Sequence, residues 1–257
     1  MRLHLHEWGD RDAPAVVCLH GVTAHGRRFR KLAEERLARR FRVLAPDLRG
    51  HGRSGYEPPW TMATHVADVV ETMEATGVGD AAFVGHSFGG RLILELSARE
   101  PERISRAVLL DPAIQILPHV GYDFAEAERR EILYASPEEA IQARLENGWA
   151  TPREFLEEEV REHLEPVRDG RLRYRYCRST AVSIFGEVCT DPPPPETLRA
   201  PTLLLYANAF GLVRKEQVAA YRAALGERLE IVTVPGGHMV YWDAFEATAD
   251  AVEAFLP

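Results

Sequence analysis

Gly85-His86-Ser87-Phe88-Gly89 joins Ala81 to Gly85, a short apolar run (AAFVG), to Gly89 to Glu100, which continues at helical spacing until Pro101 stops it. A bare GxSxG is a weak signal, because glycine and serine abound in turns. Between a buried strand and a helix it becomes specific. The reason is steric: a turn sharp enough to expose the serine Oγ leaves no room for a side chain two residues to either side, where it would strike neighbouring backbone. The pentapeptide therefore predicts a strand-turn-helix unit with Ser87 as a nucleophile at its apex.

The flanking sequence repeats that unit. Arg2 to Trp8 alternates like a half-buried strand, and Ala15 to His20 (AVVCLH) is a continuous apolar run of the kind buried on both faces. A helix is expected over Arg28 to Arg40, a strand over Arg42 to Pro46, a helix over Thr61 to Thr76 and a strand over Ser105 to Leu110. From Pro112 to about Arg199 the alternation gives way to Arg- and Glu-rich helical stretches and then Pro192 to Pro195, an expected extended tether. It resumes with strands at Thr202 to Tyr206 and Leu229 to Val234 and helices at Glu216 to Leu225 and Asp243 to Phe255. The expected fold is α/β: a mostly parallel sheet of about seven strands flanked by helices. Residues 1–111 and 200–257 form its core, and 112–199 a helical cap insertion.

Composition excludes several functions. At 46% hydrophobic and 27% charged residues the chain can bury a core, so disorder is ruled out. A net charge of -8 offers no field for a phosphate backbone, so nucleic acid is not an expected partner. No apolar run suits a signal peptide or a membrane span, which points to a cytoplasmic protein. Cys18, Cys177 and Cys189 lack metal-ligand spacing and are read as free thiols; neither a metal nor a cofactor is expected.

The remaining chemistry lies at strand ends. His20-Gly21 closes one buried strand, so the Val22 N–H, with that of Phe88, is expected to form an oxyanion hole. A base following the serine in chain order should come after the last strand, where Gly236-Gly237-His238-Met239 stands. His4 and His6 share one strand face and are expected to be solvated, while His119 and His163 fall in the insertion. Trp149, Tyr174, Tyr176 and Phe185 are available to line a pocket beneath the insertion, and each is equally read as insertion core.

HG at 20, DLRGHGRS at 47–54, GHSFGG at 85–90 and GGH at 236–238 together resemble the α/β-hydrolase superfamily, particularly its esterase, lipase and carbon–carbon-bond hydrolase branches. The resemblance covers the sheet-forming parts and says little about the insertion. It implies that residues 47–54 are a structural turn, that the insertion is a cap, and that the family's first strand is missing. The family places its acid in the loop after the strand matching TLLLY; here Phe210 stands where that aspartate is expected. Asp111, 24 residues after Ser87 at the end of SRAVLL, resembles the acid of one haloalkane dehalogenase branch. Asp111 is the favoured acid and Asn208 the fallback; Asp-Pro here also occurs as a turn cap, and Asp243 reads as an N-cap or first-turn residue of the last helix.

The reaction so implied is hydrolysis of a small-molecule carboxylic ester by Ser87, His238 and Asp111. Serine at the elbow argues against dehalogenase and epoxide hydrolase chemistry, which needs a carboxylate there. Lactone, monoacylglycerol or carbon–carbon hydrolysis, and a non-catalytic binding protein, are the rivals; oligomeric state is left open.

Overall fold

The computed structural model describes residues 1–146 and 151–257. Trp149 lies outside the described residues. Seven strands form one sheet in the order β1-β3-β2-β4-β5-β8-β9. They are β1 (Leu5–Trp8), β2 (Ala15–Leu19), β3 (Arg42–Pro46), β4 (Ala81–His86), β5 (Ile104–Leu110), β8 (Thr202–Ala207) and β9 (Leu229–Val234). β1 runs antiparallel to β3 on the outer edge, with Leu5 opposite Pro46; the other pairings are parallel. All six residues of β4 are buried, as a central strand covered on both faces requires.

Period-two alternation divides the core between the two faces. Val17, Leu19, Phe83, Leu109 and Leu204 pack with α2 (Met62–Ala75), α3 (Phe88–Arg99) and α8 (Lys215–Leu225). Val16, Cys18, Val84, Val108 and Leu203 pack with Phe29 and Leu37, with α9 (Val240–Asp243) and with α10 (Phe245–Phe255). The expected helix from Arg28 is instead a 3₁₀ turn at Gly26–Phe29, a single α turn α1 (Arg30–Leu32) and a π turn at Ala33–Leu37. The Ala38 N–H reaches back five residues to Ala33 O, at 2.8 Å. Apolar spacing reports the buried face and is blind to how far back each N–H reaches.

The insertion carries α4 (Pro118–Glu128), α5 (Pro137–Glu146), α6 (Arg153–His163) and α7 (Arg178–Glu187). It also holds a hairpin that helical periodicity gave no sign of, β6 (Leu164–Pro166) with β7 (Leu172–Tyr174). Its strands add nothing to the main sheet. Backbone pairing ties it to the 47–54 turn: Gly52 N–H donates to Arg175 O at 3.0 Å, and Cys177 N–H to Gly50 O at 2.7 Å. That turn therefore does more than reverse the chain. Gly50 has φ 77°, and a Cβ there would lie 2.2 Å from Thr180 Oγ1.

A second tie is ionic and buried. Glu159 of α6, fully enclosed, accepts from Arg28 Nε at 3.0 Å and from His25 Nε2 at 2.9 Å. Burial opposes its ionisation, but Arg28 and His25 outweigh that and hold its carboxyl well below the usual range. Among the described residues no helix is long and apolar enough to cross a membrane.

Five enclosed histidines, His20, His51, His65, His86 and His163, have their pKa lowered chiefly by burial, His51 to about 4 and His65 to about 3. A histidine that stays neutral when folded and titrates near 6.5 when unfolded makes the unfolded state bind more protons below that pH. Stability should therefore fall from pH 7 to pH 5, by up to about 1.4 kcal/mol per histidine per pH unit below 6.5. Urea unfolding across that range tests this; a flat profile would contradict it. His65→Leu should make the slope shallower.

Candidate active site

Ser87 leaves β4 with φ 53° and ψ -116°, and α3 begins at the next residue. The glycines around it are required by contact. A Cβ on Gly89 would lie 2.0 Å from Leu19 O of β2, one on Gly85 2.5 Å from Gly89 O, and one on Gly90 2.7 Å from Pro112 Cβ. Hydrogen bonds pin the turn to the end of β5: Ser87 N–H donates to Leu110 O at 3.1 Å, and Ala113 N–H to Ser87 O at 3.0 Å.

The described non-glycine residues with positive φ are Thr23 at 60°, Ser87 at 53° and Asp111 at 40°. They follow β2, β4 and β5, three adjacent strands, on the rim where parallel strands end. Each costs on the order of 1–3 kcal/mol, and strain of this kind persists only where the surroundings enforce it. Asp111 shows how: its N–H donates to Leu205 O at 2.7 Å, and its Oδ1 accepts from Ala207 N–H at 3.3 Å. So anchored, and fully buried, it presents Oδ2 at 2.5 Å from His238 Nδ1. The carboxylate accepts, which puts the ring proton on Nδ1 and leaves Nε2 with its lone pair.

His238 follows β9, and its carbonyl accepts from His86 Nε2–H at 2.9 Å. The loop after β8 meets its ring with an aromatic: Phe210 lies at 4.8 Å between centroids and 15° from parallel. Asn208 is exposed in that turn, and the Nδ1 contact belongs to Asp111. Asp243 does not cap the last helix, whose N-cap is Ala244. Instead its Oδ2 accepts from Gly237 N–H at 2.9 Å and its Oδ1 from the Thr151 hydroxyl at 2.7 Å. Burial raises its pKa, and those two hydrogen bonds work against the rise.

The loop after β2 passes directly against the serine. A Cβ on Gly21 would come within 3.0 Å of Ser87 Cβ, and Val22 lines the same cavity as Ser87 and His238. Phe88 is the first residue of α3, where a backbone N–H has no acceptor within the helix. Val22, Ser87 and His238, widely spaced in sequence, thus line one cavity, with Asp111 bonded to His238 and Phe88 following Ser87. The supporting histidines were not foreseen in this role. His20 Nδ1 donates to Gly21 O at 2.8 Å while its Nε2 accepts from Leu48 N–H at 2.9 Å; His51 donates to Arg49 O at 3.0 Å and accepts from Thr23 N–H at 3.2 Å. Each acceptor role needs a neutral ring, which burial secures.

The cavity has a volume of about 400 Å³. Phe185 lines it, whereas Tyr174 and Tyr176 line a separate hollow between the insertion and Tyr56. His163 is enclosed and stacks on His25 at 4.3 Å. His4 and His6 are half-buried rather than solvated, and with Asp47 they place possible metal-ligand atoms within 4.8 Å of one another. Asp47 is already engaged there, accepting from Gly26 N–H at 2.8 Å and Arg53 N–H at 2.9 Å and contacting His6 Nε2 at 3.2 Å.

Comparison with known proteins agrees with this architecture. Residues 14–245 match the family model for the alpha/beta hydrolase fold. Lipase LipV of Mycobacterium tuberculosis is 32% identical over 240 residues, covering 93% of this chain and 91% of the relative. The sn-1-specific diacylglycerol lipase ABHD11 of Mus musculus is 28% identical, covering 96% and 82%. The crystal structure of an E-2-(acetamidomethylene)succinate hydrolase superposes with a TM-score of 0.89 at 23% identity, covering 98% and 94%, which speaks for the fold alone.

The packing at the elbow predicts that Gly89→Ala destabilises the protein by about 3 kcal/mol or more, since neither Leu19 O nor the α3 backbone can yield. Gly186→Ala, on an exposed turn of α7 with nothing within 4 Å, should leave stability unchanged or raise it by up to about 1 kcal/mol. Thermal melts of the pair measure this; equal melting temperatures would contradict it.

Proposed function

The chain belongs to the alpha/beta hydrolase fold family, and from that premise we propose that it is a serine hydrolase cleaving carboxylic esters through an acyl-enzyme on Ser87. The observation that carries the reading is the 2.5 Å contact between Asp111 and His238 Nδ1, in a site whose cavity is lined by both His238 and Ser87. With Nδ1 held protonated, Nε2 is the ring's base. It takes the Ser87 proton as Oγ attacks the ester carbonyl, and the tetrahedral oxyanion is held by the N–H groups of Val22 and Phe88. Nε2–H then protonates the leaving alcohol, and a water activated by the same nitrogen cleaves the acyl-enzyme. Acyl transfer of this kind draws on side chains, backbone and water, with no cofactor.

Residues 112–199 act in this reading as a cap over a core made of 1–111 and 200–257. The lipase names of the relatives support an ester substrate. A non-catalytic binding role was suggested by Phe210 at the usual acid position. It loses that motive once Asp111 supplies a carboxylate to the imidazole.

Ser87→Ala should abolish both ester turnover and labelling by a fluorophosphonate while leaving the melting temperature near wild type. Asp111→Asn should lower kcat by up to about 10⁴, because an amide no longer enforces the Nδ1–H tautomer. Asn208→Ala should cost far less. Asp111→Asn retaining near wild-type kcat, or Ser87→Ala retaining substantial turnover, would refute the proposed roles.

A further inference from the structure

Phe210 lies in the turn after β8 and is 46% exposed, so burial in the core does not account for a phenylalanine there. What it touches is the base. Its ring lies on the His238 imidazole at 4.8 Å between centroids and 15° from parallel, and both residues line the cavity that holds Ser87. The histidine side chain is 25% exposed, so the aromatic ring covers a face that water could otherwise reach.

In the proposed reaction the charge on that imidazole changes. The ring is neutral while it waits for the Ser87 proton, and cationic from the attack of Oγ until Nε2–H is given up. An aromatic face is the negative side of a quadrupole and attracts a cation within about 6 Å of its centroid. Phe210 therefore favours the charged ring over the neutral one, and only a difference of that kind lowers a barrier. Asp111 acts on the same charge from another direction. Its contact at Nδ1, 2.5 Å long, uses an N–H in the ring plane, while Phe210 covers a face, so the two do not compete.

The other titratable and charged groups near the ring are engaged elsewhere. His86, 4.5 Å away between centroids and tilted by 43°, donates Nε2–H to the His238 carbonyl and is kept neutral by burial. Asp243 is bonded to Gly237 and Thr151, and Arg28, on the same cavity, to Glu159. The Phe210 side chain has no polar atom and shares no hydrogen bond with them. Replacing it changes what covers the imidazole and leaves those bonds in place.

We propose that Phe210 is a positioning residue for the reaction: its π face holds the His238 ring and stabilises the imidazolium formed as Ser87 gives up its proton. The inference rests on the serine-hydrolase reading above and adds to it a residue that acts through the base.

The test uses two small probes of Ser87, a fluorophosphonate label and p-nitrophenyl acetate, with rates taken per labelled site on the whole protein. Phe210→Leu keeps an apolar cover and removes the π face; Phe210→Tyr keeps both. Phe210→Leu should lower the plateau of the labelling rate and of kcat/KM by about two- to fivefold, the worth of one exposed cation–π contact, with the loss in kcat rather than KM. The acid limb of both pH profiles, which reports protonation of the base in the free enzyme, should move down by about 0.3–0.7 of a pH unit, the logarithm of that factor. Phe210→Tyr should recover most of both effects, and melting temperatures near wild type would show that each variant is folded. An unchanged plateau and acid limb in Phe210→Leu, a loss carried by KM alone, or equal losses in the leucine and tyrosine variants would overturn the inference. If only the label reacts, its rate and pH profile decide in the same way. A protein that neither labels nor hydrolyses would overturn the serine-hydrolase reading itself, and the inference with it.

Discussion

The rest of the site depends on one close approach, that of the turn at Ser87 to the end of β2. With Gly89 so near Leu19 O that no Cβ fits, α3 begins tight against the neighbouring strand and Ser87 is lifted above the sheet in a left-handed backbone. Neighbouring strand ends copy the strain at Thr23 and Asp111, so the rim holds three unfavourable conformations side by side. Ser87 and Asp111 are held by hydrogen bonds to the next strand and Thr23 by one to His51, over a core that fills both faces. Local strain at a site is sustained by the cooperative fold around it.

Much of this was legible in the sequence, and for definable reasons. Strands buried on both faces read as apolar runs, and the elbow reads as glycine because contact forbids anything larger. Other features left no local trace. The carboxylate that meets His238 lies 127 residues from it and was weighed against Asn208 only because Phe210 left the usual place vacant. The pairing of the 47–54 turn with residues 175–177, and the enclosure of Glu159 by Arg28 and His25, are contacts between distant segments. The hairpin at 164–174 is too short and too polar to show a period. Asp243 shows the same limit: its place before a helix suggested a cap, whereas its partners lie in the preceding turn and in the insertion.

The insertion is attached by two unlike kinds of contact. On one side a buried charge cluster and the stacking of Phe155 on Trp242, 5.3 Å apart, join α6 to the core. On the other, backbone pairing joins Arg175 and Cys177 to the 47–54 turn, while α4 and α7 pack on each other with Phe124 and Phe185 5.3 Å apart. Buried ion pairs contribute geometry more reliably than stability, since desolvation offsets much of their attraction. The α6 side is accordingly fixed in position by the cluster around Glu159.

The separation of Asp111 from His238 also bears on the timing of synthesis. At roughly 5–20 residues per second, a ribosome completes the elbow and the carboxylate several seconds before it adds the imidazole. During that interval the proposed nucleophile has no proposed base beside it. In the serine-hydrolase reading proposed above, the nascent chain is chemically silent until β9 has paired with β8 and carried the histidine to the rim.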